Sequence, residues 1–204
     1  MTTRLIADFD ALAARQFEEL GAAGVWWTGA QKTAIAATAR AALADEPSPG
    51  GLTAAADEAA RRITTDAISI RRDDVDRWAA AGMRVEAYVE LVGIVCRVVA
   101  LDTASFGLGL DITPLPAAKT GDPSGAVVDD VAISDGWVPT NGPAFPPTAL
   151  SSVPGATELL FDVHGVLYLT IEQMGSHETR RDDLSRAQLE LAAARTSHLN
   201  DCFY

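Results

Sequence analysis

Cysteine, histidine and basic side chains are scarce in this chain of 204 residues. The two cysteines, Cys96 and Cys202, allow one bridge at most, which excludes the disulfide framework of a small secreted domain. A reducing, cytoplasmic setting follows as the expectation, in which an important cysteine is chemical rather than structural. Histidine occurs only at 164, 177 and 198, without zinc-type spacing, so neither a metal nor a cofactor is expected. Sixteen Lys and Arg face 28 Asp and Glu, for a net charge of −12, and a polyphosphate backbone or an anionic lipid surface would repel such a chain. Nucleic acid and membrane are therefore not expected as partners. Long apolar runs are missing as well: Leu91 to Cys96 stops at Arg97, far short of the roughly 20 residues that cross a bilayer. Acids at Asp8 and Asp10 interrupt the place where an export signal needs apolar residues. There is no G-x-G-x-x-G, P-loop or G-x-S-x-G, the signatures of common nucleotide and hydrolase sites.

What is present argues for a packed helical protein. Hydrophobic residues make up 48% and charged residues 22%, ordinary globular usage with enough apolar mass for a real core. Eight of the ten prolines lie between Pro114 and Pro154, among several glycines, and divide the chain. The expected organisation is a helical half over 1–110, an irregular Pro/Gly-rich connection over 111–154 and a second helical half over 155–204. A connection this long should wrap the surface or cover a site, and its residues 127–133 suggest a short strand. Thr28 and Gln31 form a capping-box pattern that starts a helix running to about 45. Further helical segments are expected at 53–70, 72–81 and 156–170. Val85, Val89, Val92, Cys96 and Val99 recur at steps of 4, 3, 4 and 3, which predicts a helix buried on that stripe. No run is strong enough to build a sheet, and the fold class is all-α.

The C-terminal segment carries the chemistry. Ser185 and Gln188 form a second capping box, with Leu184 and Leu189 placed as a hydrophobic staple, so a helix starts at 185. Glu190 and Cys202 are twelve positions apart, which on one straight helix is roughly 18 Å of rise. A turn at Asn200 and Asp201, both good N-cap residues, would start a new helix at Cys202, bring Glu190 near it and favour a thiolate there.

On these residues the sequence resembles the alkyl hydroperoxidase D and carboxymuconolactone decarboxylase superfamily. Leu184-Ser-Arg-Ala-Gln-Leu-Glu190 followed by Ser197-His-Leu-Asn-Asp-Cys-Phe-Tyr204 is similar to its signature, a glutamate twelve residues before the first cysteine of C-x-x-C. Glu190, Asn200, Cys202 and Tyr204 match in type and spacing, and the second cysteine would be the residue after Tyr204. Glu90 to Asp102, Gly107-Leu-Gly109 and Trp26-Trp-Thr-Gly29 resemble peroxidase-related members more weakly. The resemblance implies a helical bundle, commonly a homo-oligomer, that reduces peroxides with a thiol or dithiol reductant. In that family the second cysteine attacks the peroxide and the first resolves its sulfenic acid, while glutamate and histidine relay protons. Carried over here are Cys202 as the resolving cysteine and Glu190. Some relatives place selenocysteine in such motifs, and its UGA codon is read as a stop, so a selenoprotein ended early is one reading of the chain end, and a genuine truncation or an imposed chain boundary the other.

Cys202, Glu190 and His198 are thus the candidate catalytic residues, with a capping or surface role as the other reading of His198. Cys96 is expected in the core and protected. His164 is read as a satisfied core histidine, His177 as solvated, and Trp26 and Trp27 as packing residues. Two other functions stay open: an inert helical module that works by association, and a decarboxylase-like enzyme acting on a lactone.

Overall fold

The structure, a computed structural model, describes residues 2–181, 184–200 and 202. Its helices are α1 (Thr2–Gly21), α2 (Gly29–Leu43), α3 (Ala54–Thr65), α4 (Arg72–Ala80), α5 (Val85–Leu108), α6 (Ala156–Leu167), α7 (Ile171–Met174) and α8 (Arg186–Leu199). The described residues are predominantly helical, in agreement with the all-α class. The sole ladder among them is the two-residue pair β1 (Arg180–Arg181) and β2 (Leu184–Ser185), antiparallel.

Local chemistry sets the helix starts. The Thr28 hydroxyl accepts from Gln31 N, and Gln31 Oε1 accepts from Thr28 N, at 3.2 and 3.0 Å, so two otherwise unpaired donors of α2 are satisfied. Ser185 and Gln188 repeat the arrangement at α8. Thr53 caps α3 by accepting from Ala56 N. The helix α1 was marked by no cap or breaker, yet Phe9, Leu12, Ala13, Gln16, Phe17 and Leu20 follow the 3–4 spacing and are all buried.

The centre of the bundle is α5, packed against α1, α2, α3 and α6. It corrects the expected stripe. Leu91, Ile94, Val95, Val98 and Leu101 face the core, on the side of the helix opposite Val85, Val92, Cys96 and Val99. Val89 is buried beneath Leu150, Val153 and Ala156, but Cys96 is exposed and not protected, and Phe106 further along is 85% exposed. The helix is apolar on two faces, so a 4-3-4-3 count finds a stripe without telling which one is covered. By length and composition α5 also resembles a membrane-spanning helix, but its buried side includes Glu90, Arg97, Asp102 and Ser105, of which Glu90 bonds the α1–α2 turn, Arg97 bonds Gln16 of α1 and Asp102 pairs with Arg40 of α2.

The connection from 109 to 155 is irregular, and residues 127–133 form no strand. A single bridge joins Ala132 to Thr140, and Asp130, with φ of 60°, breaks the extended run before it. The connection lies against the α1–α2 turn through backbone bonds from Lys119, Ser124 and Gly125 to the carbonyls of Gly21, Gly24 and Val25, at 2.7, 3.1 and 2.8 Å.

Candidate functional site

The predicted terminal residues lie on and just beyond α8. Glu190 Oε1 accepts from Tyr168 Oη and from Arg186 Nε, both at 2.5 Å. The Tyr168 hydrogen bond, then that of Arg186, holds this half-exposed carboxyl below the usual carboxylate range. Tyr168 stands at the end of α6, and its part in this pair was not foreseen because the two residues are distant in sequence. Arg186 also donates to the carbonyls of Gln173 and Ser176, both at 3.0 Å, and so ties the first turn of α8 to the turn after α7.

The far end of α8 does not follow the expected geometry. Asn200 closes that helix, its side-chain amide donating to the Thr196 carbonyl at 2.8 Å, and does not open a new one. Cys202 N–H donates to the Ser197 carbonyl at 2.9 Å, the backbone closure of a helix C-terminus. The thiol is exposed, and carbonyls of a helix end, rather than free N–H groups, lie beside it. Since α8 is unbroken to Leu199, the nine residues from Glu190 already span about 14 Å, and the structure keeps Glu190 and Cys202 apart. His198 is exposed in the last turn of α8, while Asp201 and Tyr204 lie outside the described residues. Elsewhere His164 is satisfied, its Nδ1 2.6 Å from the Leu169 carbonyl and its ring edge-on to Tyr168. Trp27 is buried and donates to the Ala87 carbonyl at 2.8 Å, a packing role.

A second constellation, which sequence reasoning passed over, is buried where α1, α2 and α5 meet. Lys32 is fully buried, and its ammonium donates to the carbonyl of Glu19 at 3.0 Å and to the Glu19 carboxylate. Arg97 Nη1 donates to Gln16 Oε1 at 2.6 Å and to Glu19 Oε2 at 3.0 Å, and its Nε to the Gly93 carbonyl at 3.2 Å. Glu90 accepts from Val25 N at 3.0 Å and from Trp26 N at 2.6 Å. Gly24 is required beside it, because a Cβ there would stand 1.9 Å from Glu90 Oε1. Of these residues Glu19, Gly24, Glu90, Gly93 and Arg97 border a cleft of about 360 Å³ whose other walls are Ala23, Val25, Ser124, Val153, Pro154, Ala156 and Leu159. The available clue was polar residues at core spacing, Gln16 on α1 and Glu90 and Arg97 on α5. Charge alone did not separate them from solvated positions.

The cluster gives stability a definite pH dependence. Burial pushes the Glu19 carboxyl up, but Arg97 and Lys32 outweigh that and leave it below its ordinary value. The Arg15 hydrogen bond does the same for Asp162. Burial raises Glu90 against the opposing Trp26 and Val25 N–H bonds. For the depressed pair, the folded protein binds fewer protons than the unfolded one, so their stabilisation is complete above the unfolded carboxyl range and is lost as pH falls through the lowered folded values. Glu90 has the opposite sign: the folded state holds its proton longer, and stability declines as pH rises through the raised value. Urea midpoints are therefore expected to be highest at mildly acid pH and to fall on both sides. A midpoint flat from pH 3 to 7 would contradict this.

No family model, curated protein or solved structure matches the chain.

Proposed function

We propose an alkylhydroperoxidase-like thiol oxidoreductase whose redox residue in this chain is Cys202. The observation that supports it most is the placing of an ionised, doubly hydrogen-bonded Glu190 at the head of the helix that ends beside the exposed Cys202 thiol. In the proposed cycle a second thiol or selenol attacks a peroxide; the O–O bond breaks, and water or an alcohol leaves as sulfenic or selenenic acid forms. The Cys202 thiolate attacks that oxidised sulfur or selenium, forms the S–S or Se–S bond and releases water. A dithiol reductant then returns both groups to their reduced forms by exchange. His198 is the nearer proton carrier along the chain, and with α8 straight Glu190 does not reach the thiol directly.

Peroxide consumption with a dithiol reductant tests this reading. The 204-residue chain alone is expected to give only background turnover. Extended by a single cysteine directly after Tyr204, which completes the C-x-x-C spacing, it is expected to turn over, and Cys202→Ser to return it to background. No turnover in the extended chain, or turnover that survives Cys202→Ser, rejects the proposal.

The separation of Glu190 from Cys202 favours a second reading, a helical module that works by association. Phe106, Leu191 and Leu199 are 85, 72 and 65% exposed, apolar surface of the kind that a second copy covers. Under this reading the chain sediments as a homo-oligomer and the extended chain stays inactive.

A further inference from the structure

The cleft beside Arg97 has the features of a binding site that is independent of the thiol chemistry. Glu90, Gly93 and Arg97 stand at i, i+3 and i+7 on α5 and so share one side of that helix. Gly93 lines the cleft between the two charged groups, and a Cβ there would stand 3.2 Å from Leu150 Cδ1. Arg97 is 93% buried, since its side chain is 7% exposed, and its Nε and Nη1 are engaged. Its Nη2 makes no hydrogen bond among the described residues. The buried side-chain polar atoms without a partner among those residues are Trp26 Nε1, Ser152 Oγ and Thr157 Oγ1, so Nη2 is not among the sealed atoms and keeps contact with solvent. Each of those three orphans is next in sequence to a wall residue, Val25, Val153 or Ala156. A donor in contact with solvent is satisfied by water until a ligand accepts from it.

Charge and wall chemistry define the occupant. Lys32 and Arg97 balance Glu19 and Glu90, so a charged ligand would leave one net charge in a poorly solvated place. Arg97 Nη2 offers a donor, while Glu19 and Glu90 offer acceptors. The remaining lining, from Ala23, Val25, Val153, Pro154, Ala156 and Leu159, is apolar. We propose that this cleft binds a small neutral molecule with an apolar body and a head that both accepts and donates a hydrogen bond, such as a primary amide or alcohol. The head accepts from Arg97 and donates to the acidic side of the cleft.

Backbone amide NMR with hexanamide, 1-hexanol, hexanoate and hexylamine tests the assignment on the full chain. Saturable shifts are expected at Gly24, Gly93 and Ser124 with the amide and the alcohol, and affinity about tenfold or more weaker for both charged homologues. Arg97→Lys keeps a cation for Glu19 but loses Nη2, and is expected to weaken hexanamide about tenfold. Ser124→Phe, on an exposed loop, fills the cleft mouth without touching the charge cluster and should weaken binding even if Arg97→Lys fails to fold. Absence of saturable shifts at these amides overturns the proposal. So does tighter binding of a charged homologue, or unchanged hexanamide affinity in Ser124→Phe.

Discussion

Replacing Lys32 by Met is expected to lower the stability of the fold by about 3 kcal/mol, the lower end of what breaking a buried ion pair costs. Lys32 has no exposed surface, and its ammonium is the partner of both the carbonyl and the carboxylate of Glu19. Without it the carbonyl, near the C-terminal end of α1, loses its side-chain donor, and Glu19 keeps Arg97 as its remaining cation. That remaining cation is why the loss stays at the lower end. The loss should appear as a lower urea midpoint with an unchanged slope. A double change with Glu19→Gln should lose less than the sum of the two single changes, because the second removes the charge that the first leaves uncompensated. A loss below 1 kcal/mol in Lys32→Met would show that the buried ammonium is not held by this pair.

The other large effect is expected at Trp78, which is 1% exposed at the junction of α3, α4 and α5. Its ring lies 5.5 Å from that of Tyr88, with Arg62 and Arg77 at 5.7 and 5.6 Å from its centroid. Its indole N–H donates to Glu58 Oε2 at 3.1 Å, and Glu58 in turn pairs with Arg77. Trp78→Ala removes the largest fully buried side chain and leaves a cavity, for a loss of about 4 kcal/mol and a fall of roughly 10 °C in melting temperature. Trp78→Phe keeps the packed ring but loses the N–H donor, and should lose less than half as much. If the two variants melt together, the hydrogen bond to Glu58 rather than packing is what Trp78 supplies.

The legible parts of this fold are those decided by neighbours in sequence. Thr28 with Gln31, and Ser185 with Gln188, announced the starts of α2 and α8 to within a residue, because a capping box is closed by groups three positions apart. The density of proline and glycine between 111 and 154 marked an irregular connection for the same reason: missing donors and permitted positive φ act where they stand.

Tertiary structure decided what spacing leaves open. The sequence shows apolar residues all around α5, and only the packing of α1, α2, α3 and α6 selects Leu91, Ile94 and Val98 as buried and leaves Cys96 outside. Asn200 fits a helix start as well as a helix end, and the choice fell to the end, which holds Glu190 away from Cys202. Tyr168 became the partner of Glu190 through a contact between α6 and α8 that no local pattern encodes. Nothing in the local sequence joins Glu19, Lys32, Glu90 and Arg97. They form a buried, charge-balanced cluster because three helices close around them, and burial with mutual pairing is a property of the assembled chain, not of any segment.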